Sequence, residues 1–342
     1  MYSCFIAKSQ PLPSPKGETR AGLGFPFRGR KGSAVIILLL LLASCAQKRT
    51  SDNTNIGAEK IYKGRFTLDV DPGLEHVMKL QQEVFEYAHD SVKLNIQYKN
   101  EAEMLADFKS RKASVLIMAR ALDSLEKVSM AKHDTLYVRE IKIASDAVAL
   151  IGNKEFDDKA LDIESLKKYF DPSNTATNVP EMVFEDQHSS VVTFVLNKLG
   201  YKEKVSGHVY ALKSTEEVID YVGKNKTAIG FIPFNFLSDV EDEHVKKLND
   251  SIKILSLRAK DKEGKEIRVS ANQSDVATGD YPLTRNIYTE MRFSYEDNLE
   301  WLFVNFLFKD QGEKIFLKDG LIPARMPARD VDINTDGLKG VN

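Results

Sequence analysis

Apolar and polar positions alternate along the chain with two different periods. Residues 65–70 and 92–98 alternate with a period of two, which predicts strands. Between 74 and 88 the apolar positions recur every three or four residues, which predicts an amphipathic helix. A second helix is predicted over 101–111, and 114–119 is a short, continuously apolar run that suits a buried parallel strand. This order of strands and helices is typical of a βαβ architecture.

The middle of the chain repeats this alternation. Residues 136–145 and 146–152 form two strand-like runs with little between them, which indicates one long strand or a crossover between two lobes. Helices are then predicted over 162–170, 189–199 and 214–225, and strands over 182–184 and 227–232. The pattern as a whole predicts an α/β protein.

The N-terminal region has the features of an export signal. The apolar run 34–43 has basic residues on its N-terminal side and is too short to span a bilayer comfortably. Its end, L-A-S-C at 42–45, resembles the bacterial lipobox, in which the cysteine becomes the lipidated first residue. We therefore expect a lipoprotein signal peptide over 1–44, a lipid on Cys45 and a flexible tether over 45–63. The alternative is a short apolar anchor with an incidental cysteine.

Composition narrows the class of protein. With 42% hydrophobic and 29% charged residues the chain is globular, and 342 residues are enough for two domains. The net charge of −2 gives no indication of nucleic-acid binding. Removal of the basic leader would make the mature chain more negative, so any anion site must work through local geometry.

The motifs of common catalytic sites are absent. None of the six histidines pairs with another at the spacing of metal ligands. The chain also has no phosphate-binding loop, no dinucleotide-binding glycine motif and no nucleophile elbow. We therefore expect no enzyme activity, no metal and no cofactor.

A polar turn precedes the helix predicted over 189–199. A helix that starts near Ser189 offers free backbone N–H groups and a partial positive charge, which together suit an oxyanion. Asp186 could accept a hydrogen bond from protonated phosphate, whereas sulfate has no proton to donate. The alternative is an ordinary helix cap formed by Asp186 or Ser189. The candidate ligand-binding residues of this turn are Asp186, Gln187, His188, Ser189 and Ser190.

The order of several short motifs resembles the periplasmic phosphate-binding protein family, the substrate-binding component of phosphate ABC transporters. The resemblance covers residues 64–327, and YPLTRNIY with the KDQGEKIF…GLIP ending is its most specific part. The motifs are VLIMARAL (115–122), SDAVALIGN (145–153), LDIESLKKYF (161–170), TAIGFIPF (227–234), YPLTRNIY (281–288) and FLFKDQGEKIF…GLIPARMP (306–327).

The resemblance implies a type II periplasmic binding protein fold of two lobes that close on one oxyanion. Each lobe would have a mostly parallel sheet flanked by helices. Lobe 1 would comprise 64–147 and 245–330, lobe 2 would comprise 148–244, and 331–342 would be a tail.

The family's second-lobe loop is similar to Arg-x-Asp-Gly-Ser-Gly-Thr. Here Asp186, His188 and Ser190 stand at its Asp, Ser and Thr positions, but Phe184 stands at the position of its arginine. In the first lobe the family has a turn rich in Gly, Ser and Thr after the first strand. The resemblance places Asp71, Gly73 and Leu74 at that turn.

The departures from the family pattern raise the question of where a positive charge would come from. Ala119 stands where the family has an aspartate, and Arg120 follows it. Arg120 could bind the ligand in place of the missing arginine, or it could be solvated or salt-bridged. We expect Arg285 to be structural and Asp146 to be a hydrogen-bonding residue at the hinge, outside the site.

The function that the resemblance implies is solute capture. We expect a monomeric, membrane-anchored lipoprotein in the periplasm of a Gram-negative envelope, which hands phosphate or a similar oxyanion to an ABC transporter permease. The alternative is an envelope sensor or interaction lipoprotein of the same fold, with altered or lost ligand binding.

Overall fold

Strands and helices alternate along the described part of the chain. The structure is a computed structural model, and it describes residues 62–133, 138–174, 176, 178–201, 205–239, 241–292 and 298–326. Four predicted features lie outside these residues: the signal peptide, the cysteine predicted to carry a lipid, nearly all of the tether, and the tail.

The elements fall into two halves and a return segment. The first half contains β1 (Gly64–Val70), α1 (Glu75–Ala88), β2 (Val92–Tyr98), α2 (Glu101–Lys109), β3 (Val115–Met118) and α3 (Ser124–His133), and it leads into β4 (Val138–Asn153). The second half contains α4 (Ile163–Phe170), β5 (Glu181–Glu185), α5 (Ser190–Leu199), β6 (Val209–Leu212), α6 (Thr215–Lys224), β7 (Ala228–Pro233), α7 (Glu243–Ser251), β8 (Ile252–Ile254), β9 (Leu257–Lys260), β10 (Glu266–Val269) and α8 (Gln273–Thr278). The chain returns through β11 (Thr284–Arg292), α9 (Leu299–Leu307), α10 (Asp310–Lys318) and β12 (Ile322–Pro323), and short 3-10 turns cover Pro72–Leu74 and Phe234–Leu237.

Ten of the described strands form one mixed sheet in the order β2-β1-β3-β11-β4-β7-β5-β6, with β8 and β12 also paired to β4. Strands β9 and β10 form a separate two-stranded sheet. At one end β2, β1 and β3 are parallel, and at the other end β7, β5 and β6 are parallel. Between them, β11 and β4 run antiparallel to their neighbours. Each half therefore contributes three parallel strands, as its βαβ pattern predicted, and the central pair joins the halves.

Strand β4 fits both interpretations of residues 136–152. It is one continuous strand, and it is also the crossover. Its residues 138–147 pair with β11, which also pairs with β3 of the first half, whereas 148–152 pair with β7 of the second half. All residues from 143 to 152 are buried, because elements of both halves cover this strand.

The hydrophobic core has a separate cluster for each half. In β3, Val115 and Ile117 pack into the main cluster of the first half, whereas Leu116 and Met118 face a smaller cluster on the other side of the sheet. Both faces of β3 are thus buried, which explains its unbroken apolar sequence.

The core clusters divide the chain at a different place from the predicted lobes. Leu255, Leu257, Val269, Val276 and Leu283 all belong to the cluster of the second half. The elements from β8 to α8 therefore pack with that half, although the predicted boundary at 244 and 245 assigned them to lobe 1. Strand β8 pairs with β4, and α8 also packs against β4, which is distant in sequence, so the linear pattern did not reveal this packing.

Phe184 is a core residue of the second half. It is 1% exposed, and its ring stacks on Phe231 with 4.5 Å between the centroids. Phe170 packs against it edge-on at 6.0 Å. The position that resembles the family's arginine is thus filled by an aromatic cluster.

Truncation of Phe184 should therefore destabilise the protein. We expect Phe184→Ala to lower the free energy of unfolding by about 3–5 kcal/mol, because it leaves a cavity beside the rings of Phe170 and Phe231. Tyr87→Ala is the matched control, since Tyr87 is 91% exposed, and it should change the free energy by less than about 0.5 kcal/mol. Urea denaturation measures both, and equal effects would contradict the assigned packing.

Candidate functional site

A cleft of about 610 Å³ lies where the parallel strands of both halves end. Connections at the carboxyl ends of parallel strands commonly build ligand sites, since the chain turns there into the next helix. The lining residues lie at or after the carboxyl ends of β1 (71–73, 75, 76 and 79), β2 (98–101 and 103), β5 (185, 186 and 188–190), β6 (213–216) and β7 (233, 235 and 236).

Helices from both halves begin at this cleft. Asn100 caps α2 by accepting a hydrogen bond from Glu103 N at 3.1 Å, and Ser214 caps α6 by accepting one from Glu217 N at 3.3 Å. Helices α1 and α5 also begin beside lining residues. The first turn of a helix carries unpaired N–H groups and a partial positive charge. The cleft therefore offers donors to an anion from four helix N-termini within the described chain.

The polar turn before α5 is held by its own side chains. Asp186 has a positive φ of 37°, and its Oδ1 accepts a hydrogen bond from His188 N at 3.0 Å. Ser189 caps the helix, since its Oγ accepts from Val192 N at 3.3 Å. The capping alternative thus describes the local bonding of Asp186 and Ser189, although both also line the cleft. Gln187 is exposed and does not line it.

Ser190 connects the cleft to a buried ion pair. Its Oγ accepts a hydrogen bond from Arg285 Nη1 at 3.0 Å. The same guanidinium donates from Nε to Asp146 Oδ1 at 3.0 Å and from Nη2 to Asp146 Oδ2 at 2.5 Å. The side chains of Arg285 and Asp146 are 1% and 2% exposed. The expected structural role of Arg285 therefore includes a direct contact with a cleft residue.

Asp71 brings a buried carboxylate to the cleft from the first half. It is 3% exposed, and its Oδ1 accepts from Gly73 N at 2.9 Å. Its Oδ2 has no hydrogen-bond partner among the described residues. A buried acceptor without a partner is costly, so this atom is suited to a donor on a ligand.

Gly73 lies where the two halves approach closely. A Cβ at this position would stand 3.3 Å from Pro233 Cγ, and the Gly73 carbonyl accepts a hydrogen bond from Asn235 Nδ2 at 3.2 Å. Leu74 is different, because its side chain packs in the core of the first half and does not line the cleft.

Arg120 forms salt bridges with two carboxylates. Its Nε donates to Glu101 at 2.8 Å, and its terminal nitrogens donate to Glu126 at 2.8 and 2.9 Å. Glu101 lines the cleft but Arg120 does not, and Ala119 is buried. The structure therefore brings Asp71, Gly73, Asp186, His188, Ser189 and Ser190 together, and it leaves Leu74, Arg120 and Gln187 outside the lining.

The cleft lining also includes residues that no sequence motif indicated. Burial raises the pKa of Glu185, whose Oε2 accepts a hydrogen bond from the Thr215 hydroxyl. Lys213 also lines the cleft. The signal that could have found this region is the Ser214–Thr215 start of α6, which resembles the Ser189–Ser190 start of α5.

The cleft contains more carboxylates than cations. The acidic lining residues are Asp71, Glu75, Glu101, Glu103, Glu185, Asp186 and Glu216, whereas the lysines are Lys79, Lys99 and Lys213. Lys79 pairs with Glu75, and Lys99 pairs with Asp69 and Asp107. In the described residues, no three His, Cys, Asp or Glu side chains gather as ligands for a metal ion.

The sequence matches the model of the PBP superfamily domain over residues 51–310. The chain belongs to the PBP superfamily. This superfamily comprises solute-binding proteins. No curated protein matches the chain in sequence.

Solved structures of PBP proteins share the fold of this chain. One is a Clostridium perfringens protein assigned as a phosphate ABC transporter substrate-binding protein, with phosphate bound. It is 18% identical, with a TM-score of 0.60 over 77% of this chain and 100% of the other. An ABC-type phosphate transport receptor from Vibrio cholerae is 16% identical, with a TM-score of 0.60 over 75% and 99%. PstS from Borrelia burgdorferi is 15% identical, with a TM-score of 0.52 over 76% and 99%.

These similarities confirm the predicted α/β fold of a two-lobed PBP protein and the resemblance to phosphate-binding relatives. The sheet is mixed, because β11 and β4 are antiparallel at its centre. None of the described helices is long and apolar enough to cross a membrane. The predicted lipid anchor concerns Cys45, outside the described residues.

The bonding of Asp186 predicts how two substitutions differ. Asp186→Asn keeps the acceptor for His188 N and tolerates a positive φ, so the free energy of unfolding should change by less than about 0.5 kcal/mol. Asp186→Ala loses the bond and strains the backbone, and should cost about 1–3 kcal/mol. Urea denaturation compares them. A loss for Asn as large as that for Ala would show that the carboxylate charge, and not the turn, stabilises this loop.

Proposed function

We propose that this PBP protein captures phosphate or a similar oxyanion in the cleft and delivers it to an ABC transporter permease. The observation that supports it best is the convergence of four helix N-termini from both halves on one cleft. Such termini bind oxyanions through backbone N–H groups, without a cationic side chain in contact. The hydroxyls of Ser189, Ser190, Ser214 and Thr215 line the same cleft.

The proposal includes a site of action at the cell envelope. A lipid on Cys45 would tether the mature protein to a membrane of a Gram-negative envelope, with the binding domain in the periplasm. The L-A-S-C ending of the apolar run supports this part. Function would then need no chemical step, since closure of the two lobes around the solute is a ligand-driven shift between conformations.

Asp71 offers a means to distinguish phosphate from sulfate. Phosphate near neutral pH carries a proton that it can donate, whereas sulfate carries none. The unpartnered Oδ2 of Asp71 would accept that hydrogen bond, and it would repel an anion that has only acceptors. The sequence indicated Asp186 for this role, but Asp186 is exposed, whereas Asp71 is buried and its Oδ2 has no partner among the described residues.

The acidic lining favours a second candidate function. Carboxylates such as Glu185 and Glu216 would weaken the attraction of a dianion. An envelope sensor or interaction lipoprotein of the same fold, with altered or lost ligand binding, would have no need of tight phosphate binding. Calorimetric titration of the anion-stripped protein distinguishes the two, because heat with phosphate supports capture, and no heat with either phosphate or sulfate supports the second function.

Substitution of the two aspartates tests the basis of selectivity. We expect Asp71→Asn to reduce the ratio of phosphate to sulfate affinity roughly tenfold or more, because an amide can donate to sulfate. Asp186→Asn is the matched control and should leave the ratio nearly unchanged. Calorimetric affinities for both anions provide the ratio. If Asp186→Asn alone relaxes it, the sequence-based assignment is correct and the Asp71 assignment is wrong.

The pKa of Glu185 predicts a pH dependence of binding. Burial raises this pKa, so the carboxyl is neutral at low pH and becomes charged as pH rises through the raised value. A charged Glu185 repels an anion, and Glu185→Gln removes the charge but keeps an acceptor for Thr215. The affinity of Glu185→Gln for phosphate relative to the wild type should therefore rise with pH.

Calorimetry between about pH 5 and 8 measures that affinity ratio, and taking the ratio cancels the titration of phosphate itself. Glu216→Gln is the control, since Glu216 is exposed on the same cleft. A ratio for Glu185→Gln that stays constant over this range would exclude a titrating Glu185 from the site.

A further inference from the structure

The buried pair of Arg285 and Asp146 lies where the chain crosses between the halves. The two residues are direct neighbours across the β4–β11 pairing. Asp146 belongs to the segment of β4 that pairs with β11, and Val148, two residues later, pairs with β7. The carboxylate of Asp146 accepts two hydrogen bonds from the guanidinium of Arg285. The direction of the remaining N–H groups of Arg285 is therefore set by the central strands.

The third contact of this guanidinium reaches the ligand cleft. Arg285 Nη1 donates to Ser190 Oγ, and Ser190 is the first residue of α5. Arg285 does not itself line the cleft, and its guanidinium lies 5.9 Å from the Phe194 ring centroid. Within the described residues, the hydrogen bond that links Arg285 to the cleft lining is therefore the one to Ser190.

The chemistry of a hydroxyl determines what this contact does. A serine hydroxyl has one proton and two acceptor positions, whereas a guanidinium can only donate. Because Arg285 occupies an acceptor position of Ser190 Oγ, the Ser190 proton must point elsewhere. Within the described chain Ser190 Oγ donates to no protein acceptor, and Ser190 lines the cleft.

We propose that Arg285 is a positioning residue for anion binding: it fixes the Ser190 hydroxyl as a donor directed at the ligand. Asp146 holds Arg285 in place and neutralises its charge, so the effect on the ligand is orientation and polarisation of one hydroxyl. This role would compensate for the arginine that Phe184 replaces in the second-lobe loop. The inference rests on the proposed function, since it requires an oxyanion in the cleft.

A double-mutant cycle on phosphate affinity tests the proposal. Arg285→Lys keeps a positive charge for Asp146 but cannot bond both Asp146 and Ser190 with the same geometry. Ser190→Ala removes the hydroxyl. We expect each variant to weaken phosphate binding roughly tenfold, as for one charge-assisted hydrogen bond, and the double variant to bind no more weakly than either single variant.

Additive losses, roughly a hundredfold in the double variant, would overturn the proposal, because they would mean that Arg285 acts independently of Ser190. Ser190→Thr retains a hydroxyl, so Arg285→Lys should again weaken phosphate binding when it is combined with Ser190→Thr. Its absence there would also count against the proposal.

Two controls separate positioning from general support of the central strands. Tyr281 is buried at the same crossing, and its hydroxyl donates to the Val148 carbonyl at 2.8 Å. Tyr281→Phe should lower stability but leave phosphate affinity within about twofold, as expected for a group with no link to Ser190. An affinity loss as large as that of Arg285→Lys would indicate a structural effect instead. If Arg285→Lys does not fold, the paired Asp146→Asn and Arg285→Gln variant, a neutral hydrogen-bonded replacement, takes its place in the cycle.

Failure of the proposed function can be distinguished from failure of this inference. A folded wild type that gives no heat with phosphate contradicts phosphate capture. The wild type, Arg285→Lys, Ser190→Ala and the double variant are then compared by urea denaturation without ligand. Coupling between Arg285→Lys and Ser190→Ala in the free energy of unfolding supports the link, and independent effects overturn it whatever the ligand is.

Discussion

The long strand β4 is the element on which the two halves depend. It pairs with β11 in one half and with β7 in the other, so both parallel regions are attached to a single extended backbone. Its central residues are covered on both sides, which requires an almost unbroken apolar sequence. The charged exception is Asp146, and a buried carboxylate needs a partner. Arg285 on the adjacent strand satisfies it, and the ion pair therefore also determines which neighbour β4 can have at this point.

The same arrangement explains how a negatively charged protein could bind an anion. The parallel strands of each half end at the cleft, and the helices that follow them direct their N-termini into it. Backbone N–H groups and hydroxyls then supply the donors, and their effect is local because helix-terminus fields act within about one turn. The carboxylates around them limit which anions fit. In the proposed function, the unpartnered Oδ2 of Asp71 would favour a ligand that can donate a proton over one that has only acceptors.

Membership of the PBP superfamily identifies the fold of this chain but not its ligand. At 15–18% identity to the structures compared, the lobes and their connections are shared, whereas the side chains at the cleft differ from the family pattern. Phe184 shows how such a difference arises, since its ring completes a stack with Phe170 and Phe231 and a charged residue there would have to be buried. Phenylalanine at this position thus contributes core packing.

The sequence by itself determined the elements and the turn residues that face the cleft. Strand and helix periods are local, and a turn such as Asp186–Ser190 has its polar side chains within bonding distance of its own backbone. Tertiary structure alone decided that residues 252–283 pack with the second half, and that Arg285 bonds Ser190 whereas Arg120 is held by Glu101 and Glu126. Arg285 and Asp146 are 139 residues apart in sequence. Their contact depends on the register of two strands, which no local pattern in one sequence encodes.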